Sequence, residues 1–329
     1  MGPLQKTDAS VIYERSLNDN EELTPQIINS TKTERRELDI VWRNVIIYTL
    51  LHLGGIYGGF LFVTQAKWAT RIFAFMLYVA SGLGITAGVH RLWSHKAYKA
   101  KLPLRILLVA FNTIAYQDSI IHWARDHRVH HKHTETDADP HNATRGFFFS
   151  HVGWLLVKKH PEIKAKGQAI DVSDLWADPL LRFQKNYYLF LMPLACFILP
   201  TYIPTVWGES LKNAFFVSAI FRYVYVLNVT WLINSAAHMF GTKPYDKDIY
   251  AVETRPVALV TLGEGFHNFH HTFPWDSKTS ELGNYALSFT NIFLEAMAKI
   301  GWAYDFRTVP RDVVLKTAKK SGDGSHPEF

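Results

Sequence analysis

Asp126-His127-Arg128-Val129-His130-His131 is the stretch from which the rest of the chain can be read. On an α-helix, positions i, i+3 and i+4 fall on one face, so His127, His130 and His131 are expected to project together. Three charged imidazoles so close repel, whereas three neutral rings around a cation do not. The spacing is written twice, since His267-Asn268-Phe269-His270-His271 repeats H-x-x-H-H. His90-Arg91-Leu92-Trp93-Ser94-His95 adds two more, and His238 stands at the end of an apolar run. Nine of the 16 histidines thus fall in four places, each at or near the end of a hydrophobic segment. Such clusters mark metal or catalytic sites.

Hydrophobic residues make up 48 % of the 329, in blocks that alternate with charged ones. That alternation is the pattern of membrane spans joined by sizeable soluble pieces. The net charge of +6 suits an anionic membrane surface or an anionic substrate. No nucleic-acid motif is present, so no nucleic-acid partner is expected. The single cysteine, Cys196, forbids an internal disulfide and removes haem-thiolate and iron–sulfur ligation. The polar first forty residues carry no cleavable signal pattern.

Working outward in chain order, residues 1–39 read as a disordered tail. Apolar runs over 41–64 and 72–89 form a helical hairpin, with Gly54, Gly55, Gly58, Gly59, Gly82, Gly84 and Gly88 allowing close packing. The run over 102–121 is broken by Pro103, Arg105, Asn112, Gln117 and Asp118, and reads as a buried or re-entrant helix. A turn-rich loop follows the central triplet, and then an aromatic segment, 146–156, suited to a bilayer interface. The third span, 188–206, is expected to kink at Pro193, Pro200 and Pro204. In the fourth, 214–237, Arg222, Asn228, Thr230 and Asn234 must face protein or a cavity.

The fold class expected is therefore an all-α integral membrane protein: four transmembrane helices with a cytosolic helical cap carrying a histidine-ligated dimetal site. Its parts are the tail (1–39), spans one and two (40–89), a cap segment (90–187), spans three and four (188–237), a second cap segment (238–310) and a C-terminal tail (311–329). Basic residues are sparse in the links 65–71 and 207–213 and dense elsewhere. The positive-inside rule then places both termini and every histidine cluster in the cytosol.

Nine imidazoles exceed what one ion takes, but two ions with four or five ligands each match the count. Imidazole suits Fe, Zn, Cu and Ni alike. Two neighbouring ions with open positions suit oxygen activation or hydrolysis. Asn234, one turn before His238, could reach an ion through a water. Asp126 could orient an imidazole or pair with a base. His90 and His95 are about 500° apart on an α-helix, so they meet one centre only if the helix ends or bends there. His122, His133, His141, His151 and His160 read as surface or supporting residues, and His52 as hydrogen-bonded inside the bundle. His326 falls in the C-terminal tail.

The clusters resemble the three histidine boxes of membrane acyl-CoA desaturases of the stearoyl-CoA desaturase type. Flanking stretches match as well, among them Gly84-Ile85-Thr86-Ala87-Gly88, Asp137-Ala138-Asp139-Pro140-His141-Asn142, Gly146-Phe147-Phe148-Phe149-Ser150-His151-Val152-Gly153-Trp154, Asn234-Ser235-Ala236-Ala237-His238 and Gly263-Glu264-Gly265-Phe266 before the third box. The likeness spans roughly residues 40–306. It implies two Fe ions held by His90, His95, His127, His130, His131, His238, His267, His270 and His271, in the endoplasmic reticulum membrane. The implied reaction uses O2 and two electrons to place a cis double bond, usually between carbons nine and ten, in a saturated long-chain acyl-CoA. The implied electron donors are cytochrome b5 and its NADH-dependent reductase. By the same resemblance, Asn44, Arg125, Asp126, Lys158 and Lys159 would contact coenzyme A. Gln117, Trp154, Thr230 and Trp231 would shape a bent acyl tunnel, with Tyr78 and Gly82 near its closed end. A bulkier residue at Gly82 should then shorten the preferred chain. Asp118 and His122 depart from the family pattern, which has Asn and Glu there.

Other readings are a desaturase of another bond position, a related di-iron hydroxylase, or a metal transporter. A transporter would carry its ionisable ligands within the spans, whereas here they lie at or beyond the ends.

Overall fold

Among the described residues of the computed structural model, four helices are long and apolar enough to cross a membrane: Trp42–Thr64, Trp68–Ser94, Tyr188–Trp207 and Leu211–His238. The structure describes residues 38–281 and 288–329, so the expected tail at 1–39 lies outside it except for its last two positions. The spans fall where the apolar runs predict them. The second continues from the expected end at 89 to Ser94 and so carries His90.

Three of the spans change winding along their length, the fourth through a π stretch over Ala214–Phe221 and a 3-10 turn over Ala236–His238. The second is α-helical over Trp68–Leu83 and then a π-helix over Gly84–Ser94. A close approach sits at this junction: a Cβ on Gly84 would lie 2.3 Å from the backbone nitrogen of Asn112, so only glycine fits. The third span runs α, π, α and 3-10 in succession through Pro193, Pro200 and Pro204, each proline removing one backbone donor.

The 102–121 stretch is two helices rather than one, Leu102–Ala115 and Ile120–His133, bent by 82°. Tyr116 (φ 48°) and Asp118 (φ 77°) make the corner in left-handed backbone. The Asp118 carboxylate accepts the Ser119 amide at 2.6 Å. The second helix delivers the central triplet beneath the spans.

The polar residues of the fourth span face protein. The fully buried Arg222 donates to the carbonyls of Ser218, Ile114 and Cys196. Asn228 donates to the Val224 carbonyl and meets His52 at 3.1 Å. The short links at the other end meet each other: Glu209 accepts the Lys67 amide at 2.8 Å and the Thr70 hydroxyl at 2.7 Å.

Residues 311–329 are more than a tail. Helix Arg311–Ser321 buries Val314 and Ala318 against Tyr245, Phe269 and Phe273. His326 is also buried, 2.8 Å from Glu281. This layer backs the third histidine box. Val314 and Ala318 stand one helical turn apart, on the face turned inward.

Candidate metal centre

The nine histidines converge in two groups. The ring nitrogens of His90, His95, His127, His131 and His270 lie within 4.8 Å of one another, as do those of His130, His238, His267 and His271. The groups adjoin, with the rings of His131 and His271 stacked at 4.3 Å.

Each triplet is shared between the groups. His127 and His131 turn to the first and His130 to the second, while His267 and His271 turn to the second and His270 to the first. Positions i+3 and i+4 stand about 100° apart, one on either side of i. A helix facing two centres side by side therefore sends them to different ions. The expectation that each triplet projects as one unit is corrected to this extent.

The π-helix resolves the spacing of His90 and His95. The His95 amide donates to the His90 carbonyl at 3.1 Å, an i to i+5 bond. In that wider turn, five residues come nearly full circle, and both rings enter the first group.

The contacts between the rings suit cations. Nε2 of His270 lies 3.0 Å from Nε2 of both His90 and His131. Nε2 of His271 lies 3.0 Å from that of His267 and 3.3 Å from that of His130. His267 to His238 is 3.0 Å and His95 to His127 is 2.8 Å. One N–H cannot serve two such neighbours, so lone pairs converge. Imidazoles at about 2.1 Å from a shared ion, at right angles, have nitrogens about 3 Å apart. The donor set therefore fits two metal ions.

Carboxylates hold the opposite nitrogens. Nδ1 of His90 is 2.9 Å from Glu264, Nδ1 of His130 is 3.0 Å from Asp139, and Nδ1 of His238 is 2.6 Å from Glu135. Each fixes the proton on Nδ1 and leaves the Nε2 lone pair aimed inward. Glu264 also takes Arg91 at 2.6 Å, and Arg91 bonds Asn291 at 2.6 Å and the Ser277 carbonyl at 2.8 Å. Boxes one and three are thereby tied together.

Burial sets the charge states. It pushes His95, His127, His131, His267, His270 and His271 well below the usual imidazole value, and the neighbouring rings add to the shift. Burial also opposes ionisation of Glu264, yet Arg91 and His90 hold it at about 2. Asp139 is held low by His130 and His141 against the same opposition. Burial lowers His130, but Asp139 more than offsets this and raises it, favouring the Nδ1 proton.

These carboxylates and Arg91 are the residues that sequence reasoning missed. Glu264, three positions before His267, carried a proximity signal. Glu135 and Asp139 sit in a loop that read only as turn-forming. His141 joins them, completing a group with His130 and Asp139.

The remaining predicted residues divide among three places. Asp126 pairs with Arg125 at 2.6 Å and Lys159 at 2.8 Å, not with an imidazole. Lys158, Lys159 and Trp154 line one pocket with Asp137, Arg145 and Asn142. The buried Trp154 Nε1 has no hydrogen-bond partner among the described residues. Asn44 donates to the Leu155 carbonyl at 2.7 Å. Deeper in, Gln117 donates to Thr230 at 2.9 Å, and Trp231 is buried between Tyr48 and His151. Tyr78, Gly82 and Thr230 share a second, apolar pocket between spans two and four. Asn234 closes the α-helical part of the fourth span, and His238 ends the 3-10 turn after it. The two departures face each other, with His122 3.4 Å from Asp118.

The sequence profile of the fatty acid desaturase family matches residues 66–307. The chain belongs to this family. The matched region of this desaturase contains all nine histidines. It is 59 % identical over 288 residues to an acyl-CoA Delta-9 desaturase of Acheta domesticus, covering 87 % of the chain and 80 % of that protein. Over 294 residues it is 58 % identical to an acyl-CoA Delta12-desaturase of the same species, covering 89 % and 82 %. It is 54 % identical over 290 residues to stearoyl-CoA desaturase 2 of Mus musculus, covering 88 % and 80 %. The desaturase is an oxidoreductase, and the four candidate membrane spans among its described residues make it a multi-pass membrane protein.

Proposed function

We propose that the protein is an acyl-CoA desaturase that places a cis double bond at carbon nine of a saturated long-chain acyl-CoA. The observation that carries this reading is the convergence of nine imidazole nitrogens on two adjoining points, in a chain that also holds an apolar pocket between spans two and four. The overall reaction removes two hydrogens from adjacent methylenes and reduces O2 to two waters, with two electrons and two protons supplied from outside. Cytochrome b5 and its NADH-dependent reductase are the donors proposed.

Two Fe ions, when bound, would supply the oxidising power that an unactivated C–H bond requires. The chain's own residues hold and position. His90, His95, His127, His131 and His270 would form one ligand set, and His130, His238, His267 and His271 the other. Asn234 would act through a water. Glu264, Asp139 and Glu135 keep protons on the outer nitrogens. Arg125, Asp126, Lys158, Lys159 and Asn44 would receive the coenzyme, with Trp154 offering its unpartnered N–H nearby. Gln117, Thr230 and Trp231 would bend the acyl chain, and Tyr78 and Gly82 would bound its methyl end. Regioselectivity then follows from which carbons lie beside the metals, because reacting distances tolerate little error.

The proposed setting is the endoplasmic reticulum membrane, with both termini and the histidine groups cytosolic. Bond position rests on similarity to a Delta-9 relative, while others of comparable identity are named for carbons eleven and twelve. The test supplies saturated acyl-CoAs, NADH, the reductase and cytochrome b5, and locates the new double bond by mass spectrometry. A carbon-nine alkene supports the proposal. An alkene elsewhere overturns the position alone, and an alcohol or no product overturns the desaturase reading.

A further inference from the structure

We infer that Leu262 sets the depth of the apolar pocket and, with Gly82, selects the length of acyl chain that reacts. This rests on the desaturase reading above and adds a residue outside the histidine boxes.

Leu262 lies in left-handed backbone (φ 61°), a conformation an L side chain rarely adopts. Its surroundings hold it there. The Thr290 amide donates to the Leu262 carbonyl at 3.1 Å, and the Gly263 amide to the Ala258 carbonyl at 2.8 Å. Gly263 follows at φ 118°. This corner ends helix Arg255–Val260 and turns the Leu262 side chain into the protein, where it is 8 % exposed. Strained backbone of this kind is retained where the side chain it presents has a task.

The side chain lies against Gly82. A Cβ on Gly82 would meet Cδ1 of Leu262 at 2.5 Å and Cγ at 3.4 Å. The two positions share one volume, with Leu262 filling what the glycine leaves open. Both line the pocket, along with Tyr78, Thr86, Val226 and Thr230. The Tyr78 hydroxyl donates to the Val260 carbonyl at 2.5 Å, fastening the second span to the same corner. Two residues beyond Leu262, Glu264 holds His90. One short loop thus fixes both the floor of the pocket and one flank of the metal centre. The distance between them is the measure against which an acyl tail would be read.

The test uses the full-length enzyme in membranes, given an equimolar series of saturated acyl-CoAs stepped by two carbons, and reads the ratio of long-chain to short-chain products. Leu262→Gly removes the side chain and suits the left-handed backbone. It is expected to raise the long-to-short ratio about tenfold, the scale of discrimination an apolar pocket achieves per methylene. Leu262→Met, which keeps an apolar side chain at this corner and reaches further in, is expected to lower it. Gly82→Ala is expected to lower the ratio in the native background and to change it much less beside Leu262→Gly, because the partner it crowds is gone. Unchanged ratios in both Leu262 variants, or Gly82→Ala acting equally in both backgrounds, would overturn the inference while wild-type product upholds the desaturase reading. Absence of product from the wild type would overturn both.

Discussion

Glu264 shows how much of the centre is built outside the ligands. It accepts from His90 on one oxygen and Arg91 on the other, with all three buried. Glu264→Gln keeps the shape but leaves Arg91 without its charge partner and weakens the hold on the His90 ring. Loss of such a support lowers metal affinity about 10–100-fold, so iron retained after dialysis should fall by that order, with turnover falling alongside. His130→Ala should abolish turnover while the spans still insert, a result checked by membrane fractionation beside the product assay. The box histidines were legible because their spacing repeats. Their supports were not, because Asp139, Glu135 and Arg91 reach their partners through folding, which no spacing rule encodes.

At the scale of an element, the widened winding of the second span does what an α-helix cannot. It brings His90 and His95 to one centre although five residues separate them. Sequence periodicity assumes α geometry, so it left that pair unresolved. The glycine at its start is the lever. A methyl on Gly84 has no room against the Asn112 backbone, and overpacking of this kind costs about 1–3 kcal/mol or more. Gly84→Ala should therefore lower the melting temperature in detergent and reduce bound iron. A melting temperature equal to that of the wild type would show that the helices can part there at no cost. The break between Leu102–Ala115 and Ile120–His133 was legible only as a run too interrupted to span. The corner itself uses positive φ at Tyr116 and Asp118, residues whose types do not announce it.

Across the whole molecule, burial of so many imidazoles makes acid sensitivity a property of the fold. The six strongly lowered histidines stay neutral in the folded chain, whereas in an unfolded chain they protonate below about 6.5. Their folded values are depressed, so the stability they contribute is present above that value and lost as pH falls below it. Protons also compete with metal for the same nitrogens. Holding the enzyme at about pH 5.5 should release iron and inactivate it faster than at about pH 7.5, measured as iron loss and residual activity over time. The four spans were legible from length and apolarity alone. The packing of 311–329 onto the third box was not, because short helical periodicity near a terminus looks the same whether or not a surface awaits it.

The claim that joins these scales is that imidazoles drawn from four parts of the chain hold a pair of irons. It is tested most directly by the iron content of the purified, iron-saturated protein. The account predicts about two irons per chain, and a lower content in Glu264→Gln after dialysis. One iron per chain, or none, at saturating iron would contradict it.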